Sequence, residues 1–342
     1  MSEAVQDAAA RIDYDAWITG DTGDLIPQRT NATTIRDMVG LLDLKPGMTV
    51  MEVGTGTGYS GAVLAEMVGA PGRVVSLDVH PDLVQRAARR HKQAGNANVE
   101  VHTVDGYVGW PEAAPFDRVV GWTTPHVIPQ TWADQSMDGA IILTPVKIAD
   151  IAGAHAIVRC MVRDSRPTDG TLHIGSFIEM APDVVTDFSV PIRYVDGARR
   201  LSEDETVWIS AHQLHNQPKA AVDFLLAELE KDSPTAAFID PQKVVTFTTY
   251  VLGVTAHPAS AGTPHGWGFG VATRDGVAVV GYDGALITAG ATDAADEIVA
   301  LRDRWVQNGE PDHAALGVTF TGSSEGWIVR PSFTPVDGDA KR

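Results

Sequence analysis

The chain has 342 residues, more than one ordinary domain. Its 44% hydrophobic and 20% charged content is that of a globular protein rather than a disordered one. With 26 basic against 44 acidic side chains the net charge is −18, which opposes attraction to nucleic acid or an anionic membrane; the single cysteine, Cys160, excludes an intramolecular disulfide framework.

Taken in order, residues 1–24 are acidic, with a short helix expected around Ala8–Ile12 and a turn-rich segment from Gly20 to Asp24. The N-terminus has no signal-peptide pattern and no apolar run reaches membrane-spanning length, so the expected location is cytoplasmic. Ile35, Met38, Val39, Leu41 and Leu42 recur at helical spacing, with Asn31 or Thr33 as the candidate N-cap.

An apolar strand over Met48–Val53 then breaks into glycines at 54, 56 and 58, and a helix is expected from Tyr59 to a stop at Gly69. Such a strand, tight turn and helix allows close backbone approach to a ligand and offers helix-start amides to its acceptors. The ligand stays open at this point. Gly54, Gly56 and Gly58 give the G-x-G-x-G common in S-adenosylmethionine-dependent methyltransferases, while Gly56, Gly58 and Gly61 satisfy the dinucleotide fingerprint. Asp78, after the strand Arg73–Leu77, stands where either class places a carboxylate for ribose hydroxyls. Pro81 opens the next helix, which stops at Gly95, and His80 reads as a loop histidine, with contact to a ribose as the alternative.

The strand Val99–Val104 runs into Asp105-Gly106-Tyr107-Val108-Gly109-Trp110-Pro111-Glu112-Ala113-Ala114-Pro115-Phe116-Asp117. Strands are expected at Asp117–Val120 and Ala140–Val146. An antiparallel edge pair is expected at His155–Arg163 and Thr171–Met180, joined through Pro167–Gly170. Cys160 lies in an apolar run, as a structural thiol would.

This D-G-x-x-G-W-P-x-x-A-P-x-D run, together with Met51–Ser60, Leu41–Gly47, Pro125–Pro129 and Pro145-Val146, resembles the protein-L-isoaspartate O-methyltransferase family over roughly residues 12–185. The resemblance implies a Rossmann-like class I methyltransferase of α/β class, with a mostly parallel sheet and an antiparallel edge, over residues 1–186. Residues 187–342 form an additional α+β domain in which peptide recognition is suspected. It implies S-adenosyl-L-methionine as cofactor and S-adenosyl-L-homocysteine as product, held by Gly54, Thr55, Gly56, Gly58, Tyr59, Asp78, Val79, Asp105 and Gly106. It further implies a peptide or protein partner bearing aspartate or isoaspartate, with no nucleic acid, membrane or metal.

Thr30 aligns with the serine of the family's S-x-P stretch. Here the sequence is Thr30-Asn31-Ala32, so serine and proline are absent but the hydroxyl remains. Thr30, Asn31 and Thr123 are the catalytic candidates, and Arg29, Thr30, Trp122 and Thr124 the substrate-binding ones. Small residues usually follow the fourth strand in the family, so Trp122 in Gly121-Trp122-Thr123-Thr124-Pro125-His126 is a departure. His126 reads as structural. A carboxylate with a pKa near 4 is already ionised at neutral pH, so the implied reaction needs no general base.

That altered stretch and the long C-terminal half point toward relatives that tailor ribosomal peptides through a succinimide (aspartimide). General isoaspartate repair is the alternative. A tRNA adenine methyltransferase, disfavoured by charge, a nicotinamide oxidoreductase and a non-catalytic peptide-binding module are the rivals.

In residues 187–342, helices are expected at Pro218–Lys231 and Ala294–Gln307, with Val244–Val254 open between helix and strand. Strands are expected at Trp267–Thr273, Gly276–Tyr282, Leu316–Phe320 and Trp327–Arg330. Gly262–Gly268 reads as a functional loop or a tight turn, and His212 with His215 has no carboxylate to complete a metal set.

Overall fold

The computed structural model describes residues 3–181, 190–191, 193–203, 205–231 and 237–333. Helices α1 (Glu3–Ala10), α2 (Tyr14–Ile18) and α3 (Ala32–Leu41) precede the first strand. Asn31 is the cap of α3, its side-chain oxygen accepting the Thr33 amide at 2.7 Å. The alternation continues as β1 (Thr49–Val53), α4 (Tyr59–Val68), β2 (Arg73–Asp78), α5 (Pro81–Ala94), β3 (Val99–Thr103) and β4 (Phe116–Gly121). Pro81 sits in the first turn of α5, where a missing N–H costs nothing, and left-handed Gly95 at φ 77° ends the helix.

After β5 (Ile128–Pro129) and α6 (Gln130–Asp134) come β6 (Ser136–Lys147), β7 (His155–Arg163) and β8 (Arg166–His173). The sheet order is β3-β2-β1-β4-β6-β7-β8, parallel as far as β6 and antiparallel at the β7–β8 edge. This is the Rossmann-like methyltransferase fold that the sequence led us to expect. The edge hairpin differs in detail: it turns at Asp164-Ser165, with φ of 49° and 55°, not at Pro167–Gly170. Pairing of Arg163 with Arg166 leaves a two-residue loop, and Pro167 is tolerated because β8 is an edge strand. The strand expected over Thr171–Met180 accordingly stops at His173, and residues 174–181 are free to line the site. Cys160 is fully buried on β7 and its thiol is pushed up to about 12 by burial, which keeps it inert.

The later residues build a second sheet from β9 (Gly197–Arg200), β10 (Thr206–Ala211), β11 (Pro258–Thr263), β12 (Gly266–Ala272), β13 (Gly276–Gly281) and β14 (Leu286–Gly290). It is antiparallel throughout, in the order β14-β13-β12-β11-β10-β9. Helix α7 (Lys219–Lys231) packs Val222, Leu225 and Leu229 with Val207, Ile209 and Val279. Helices α8 (Val244–Val254) and α9 (Asp293–Gln307) pack Phe247, Ile298 and Trp305 with Phe269, Val271 and Val280. Thus Val244–Val254 is helical, and Gly262–Gly268 carries the tight β11–β12 turn. Strands β9, β10, β11 and β14 were not foreseen. Each is short, and each acquires its identity from a neighbour in the meander.

The last hairpin, β15 (Gly317–Gly322) and β16 (Gly326–Ser332), returns to the first half: Gly326 and Trp327 pair with Pro129 and Ile128 of β5. His126 Nε2 meets Glu325 at 2.7 Å while its Nδ1 meets the Tyr107 hydroxyl at 2.9 Å, a structural role for this histidine. Arg330 pairs with Asp150. One continuous apolar core runs from Met51 and Trp132 in the first half to Phe247, Trp305 and Val329 in the second. The boundary expected at residue 186 lies outside the described residues. No helix among the described residues is long and apolar enough to cross a membrane.

Candidate active site

A cavity of about 640 Å³ opens at the carboxyl ends of β1, β2 and β4, where open α/β sheets bind ligands. Its first wall is the glycine turn. Gly54, Gly56 and Gly58 all have positive φ (97°, 48° and 83°), a conformation that excludes most other residues. At Gly56 the approach is also close, since a Cβ would lie 2.7 Å from the carbonyl oxygen of Gln28. Asp78 fastens this turn: its Oδ2 accepts the Gly56 amide and its Oδ1 the His80 amide, both at 3.0 Å.

Of the cofactor-side candidates, Gly54, Thr55, Gly56, Asp78, Val79 and Gly106 line the cavity. Gly58, Tyr59 and Asp105 do not. Gly58 caps α4 and faces Trp17, Ala87 and His91. Tyr59 is buried with its ring 4.9 Å from that of Tyr14. Asp105 turns its Oδ1 to the Tyr107 amide at 2.9 Å, the local capture that an aspartate opening a turn favours. Gly106 is held instead from behind, its carbonyl accepting Trp132 Nε1 at 2.7 Å.

Arg29 and Thr30 line the cavity beyond Gln28, which lies against Gly56. The Tyr14 hydroxyl donates to the Thr30 carbonyl at 3.0 Å, and Arg29 Nη1 donates to the Ile26 carbonyl at 3.1 Å. Asn31 is spent as the α3 cap and does not line the cavity. The two threonines after β4 separate because successive side chains of an extended segment point apart. Thr123 lines the cavity with a buried hydroxyl that has no partner among the described residues. Thr124 turns away to donate to the Phe177 carbonyl at 2.8 Å. Its own backbone pairs with Ile178 and Met180, which draws residues 176–181 over this side.

Two side chains outside the candidate set adjoin the site: His80, read from the sequence as a loop histidine or a ribose contact, and Glu52, which the sequence reading missed. His80 lines the cavity beside Asp78, with a buried Nδ1 that lacks a partner among the described residues. Glu52 lies fully buried on β1 behind the cavity wall. Its Oε1 accepts Trp122 Nε1 at 2.8 Å and its Oε2 accepts the Ser76 hydroxyl at 2.6 Å. The signal was an acidic residue inside the apolar strand Val50–Val53, where charge is costly.

Burial pushes the Glu52 carboxyl up to about 7 from 4.5, partly offset by hydrogen bonds from Ser60, Ser76 and Trp122. A folded-state pKa raised above the unfolded one stabilises at low pH, and that contribution is lost as pH rises through the folded pKa. Burial lowers His91 and His155 to about 4, which works in the opposite direction. Subtracting a Glu52→Gln variant isolates the carboxyl. The wild-type advantage over the variant should shrink by about 3 kcal/mol between pH ~4.5 and ~7.5 in urea melts. A difference independent of pH would place the Glu52 proton elsewhere.

Residues 3–164 match the family model described as protein-L-isoaspartate(D-aspartate) O-methyltransferase. The chain is 44% identical over 103 residues to the protein-L-isoaspartate O-methyltransferase of Gloeobacter violaceus, 30% of this chain and 49% of that protein. It is 34% identical over 148 residues to one from Methanococcus maripaludis, 42% and 66% of the two chains. The chain spans about half the length of most of the curated relatives it matches. A solved protein-L-isoaspartate O-methyltransferase superposes with a TM-score of 0.51 over 97% of this chain and 95% of that one. At 19% identity this is a likeness of fold, and it extends across both halves of the chain.

Proposed function

Taking residues 3–164 as similar to the protein-L-isoaspartate O-methyltransferases, we propose that the protein is an S-adenosylmethionine-dependent carboxyl O-methyltransferase acting on an aspartyl or isoaspartyl carboxylate of a peptide or protein. The observation that carries this reading is one cavity with two kinds of wall. A glycine turn fastened by Asp78 lines it together with Arg29, Thr30 and Thr123. The cavity is of the size that encloses a nucleoside-bearing ligand.

On this reading Gly54, Thr55, Gly56, Asp78, Val79 and Gly106 hold S-adenosylmethionine, which supplies an electrophilic methyl group. The remaining work falls to the other lining residues. The acceptor carboxylate is ionised without help, so no base is required. Thr30 and Thr123 donate hydroxyl hydrogen bonds that orient one oxygen, and Arg29 offsets the anion in a strongly acidic protein. Exclusion of water by Trp122 and residues 176–181 strips the carboxylate of competing donors.

Tailoring of a constrained aspartyl peptide, ending in a succinimide, is supported by Thr30-Asn31-Ala32 and by Trp122, which depart from the repair pattern. General isoaspartate repair is supported by the names of the curated relatives. Mass spectrometry of an isoaspartyl test peptide beside a cyclised aspartyl peptide decides: methylation confined to the first selects repair. Methyl gain by the second, followed by loss of methanol, selects tailoring. Thr30→Val should lower kcat roughly 100-fold while leaving S-adenosylhomocysteine affinity within about twofold, the loss expected for one positioned donor. Unchanged turnover removes Thr30 from the mechanism.

A further inference from the structure

Glu52 joins two parts of the cavity that are distant in sequence. On one side its Oε1 receives Trp122 Nε1 at 2.8 Å. On the other its Oε2 receives Ser76 at 2.6 Å, and the Ser76 oxygen in turn lies 2.7 Å from the Thr55 hydroxyl of the glycine turn. Since Ser76 donates its proton to Glu52, Thr55 donates to Ser76. The relay therefore runs from the turn to the carboxyl and, from the other side, from the indole to the same carboxyl.

Trp122 is only 6% exposed, yet it lines the cavity, its ring centroid 6.0 Å from that of Phe177. It also abuts the turn, since a Cβ on Gly54 would lie 3.3 Å from Trp122 Cβ. An indole fixed at its N–H, with its Cβ against Gly54 and its ring beside Phe177, has a set orientation. Without the carboxyl, its ring would be free to leave the wall.

We infer that Trp122 is the residue that shapes the acceptor half of the cavity, and that the buried Glu52 carboxyl is the positioning residue that aims it. The inference rests on the methyltransferase reading above. The ligand that Trp122 selects is an acceptor whose flanking residue lies flat against an aromatic wall, and a bulky branched neighbour of the modified residue is disfavoured. The titratable groups facing Glu52 are Asp78 on β2, and His91 on α5, whose Nε2 shares the space over Gly61 with Glu52 Oε2. Burial holds His91 neutral, so a near-neutral titration of this network belongs to the carboxyl.

The test uses the full chain, calorimetry with S-adenosylhomocysteine, and methylation of two isoaspartyl peptides that carry glycine or valine after the modified residue. Wild-type protein that neither binds the cofactor product nor methylates either peptide defeats the underlying reading. With that reading intact, Trp122→Phe, which keeps a ring but loses the N–H, should raise KM for the glycine peptide about tenfold with cofactor affinity within about twofold. Glu52→Leu, which keeps the volume but offers the Trp122 N–H no acceptor, should reproduce the loss. The double variant should be no worse than either single one, because both changes break one interaction. Trp122→Ala should narrow the glycine-over-valine preference. An unchanged KM in Trp122→Phe, or losses that add in the double variant, overturns the inference. A second measurement needs no turnover: the Trp122 indole N–H resonance should shift with pH near neutrality in wild-type protein and stay fixed in Glu52→Gln. A resonance indifferent to both pH and Glu52 overturns it as well.

Discussion

Replacing Asp78 with Ala should weaken S-adenosylhomocysteine binding by at least about 100-fold in calorimetry. The carboxylate accepts two backbone amides, Gly56 on the glycine turn and His80 at the start of α5, and each oxygen keeps a further lone pair toward the cavity. Hydrogen bonds to a charged group contribute roughly 1.5–3 kcal/mol each, so losing those to a ligand's hydroxyls alone costs the predicted factor. Untying the turn adds to this, because Asp78 holds the amide of Gly56, whose φ is 48°. Asp78→Asn should fall between: the amide can still accept one N–H, but its own N–H₂ then opposes the other donor. Binding of wild-type strength in Asp78→Ala would mean that the cofactor sits elsewhere in the cavity, and the proposed function would lose its anchor.

Residues 3–186 produced alone should fail to form a stable protein, and the full chain should unfold in one calorimetric transition. The reason is the shared core. Phe247, Tyr250, Trp305 and Val329 from the second half belong to the same buried cluster as Phe116, Ile128 and Trp132 from the first. Stripping away side chains of this size costs roughly 1.5–3 kcal/mol each. A handful exceeds the whole stability of an ordinary domain, about 5–15 kcal/mol. The cut also removes β16 from β5 and Glu325 from His126, so the turn that carries Tyr107 loses its brace. A soluble fragment with a cooperative melt near that of the full chain would show instead that the halves fold independently.

How far a residue was legible depended on the range of the force that places it. The glycine turn, the stops at Gly69 and Gly95, the Pro81 start and the Asn31 cap could be read because each satisfies its own neighbours' backbone groups. So could α7 and α9, whose apolar spacing needs no partner to be visible. Asp78 was legible for the same reason, lying at the end of the strand beside the turn it fastens. Asp105 is held by a local Asx turn and does not line the cavity.

Sequence by itself determined the strand-turn-helix order, the parallel core of the first sheet and the glycine turn that lines the cavity, since those follow from periodicity and backbone needs within a few residues. Only the tertiary structure decided that Thr123 faces the cavity while Thr124 turns to Phe177, that Glu52 holds Trp122, and that β16 closes on β5 about two hundred positions away. Those outcomes hang on which segments meet across the core. A buried carboxyl or an edge strand takes its partner from whatever folding brings within hydrogen-bond reach, and no local pattern in the chain encodes that meeting.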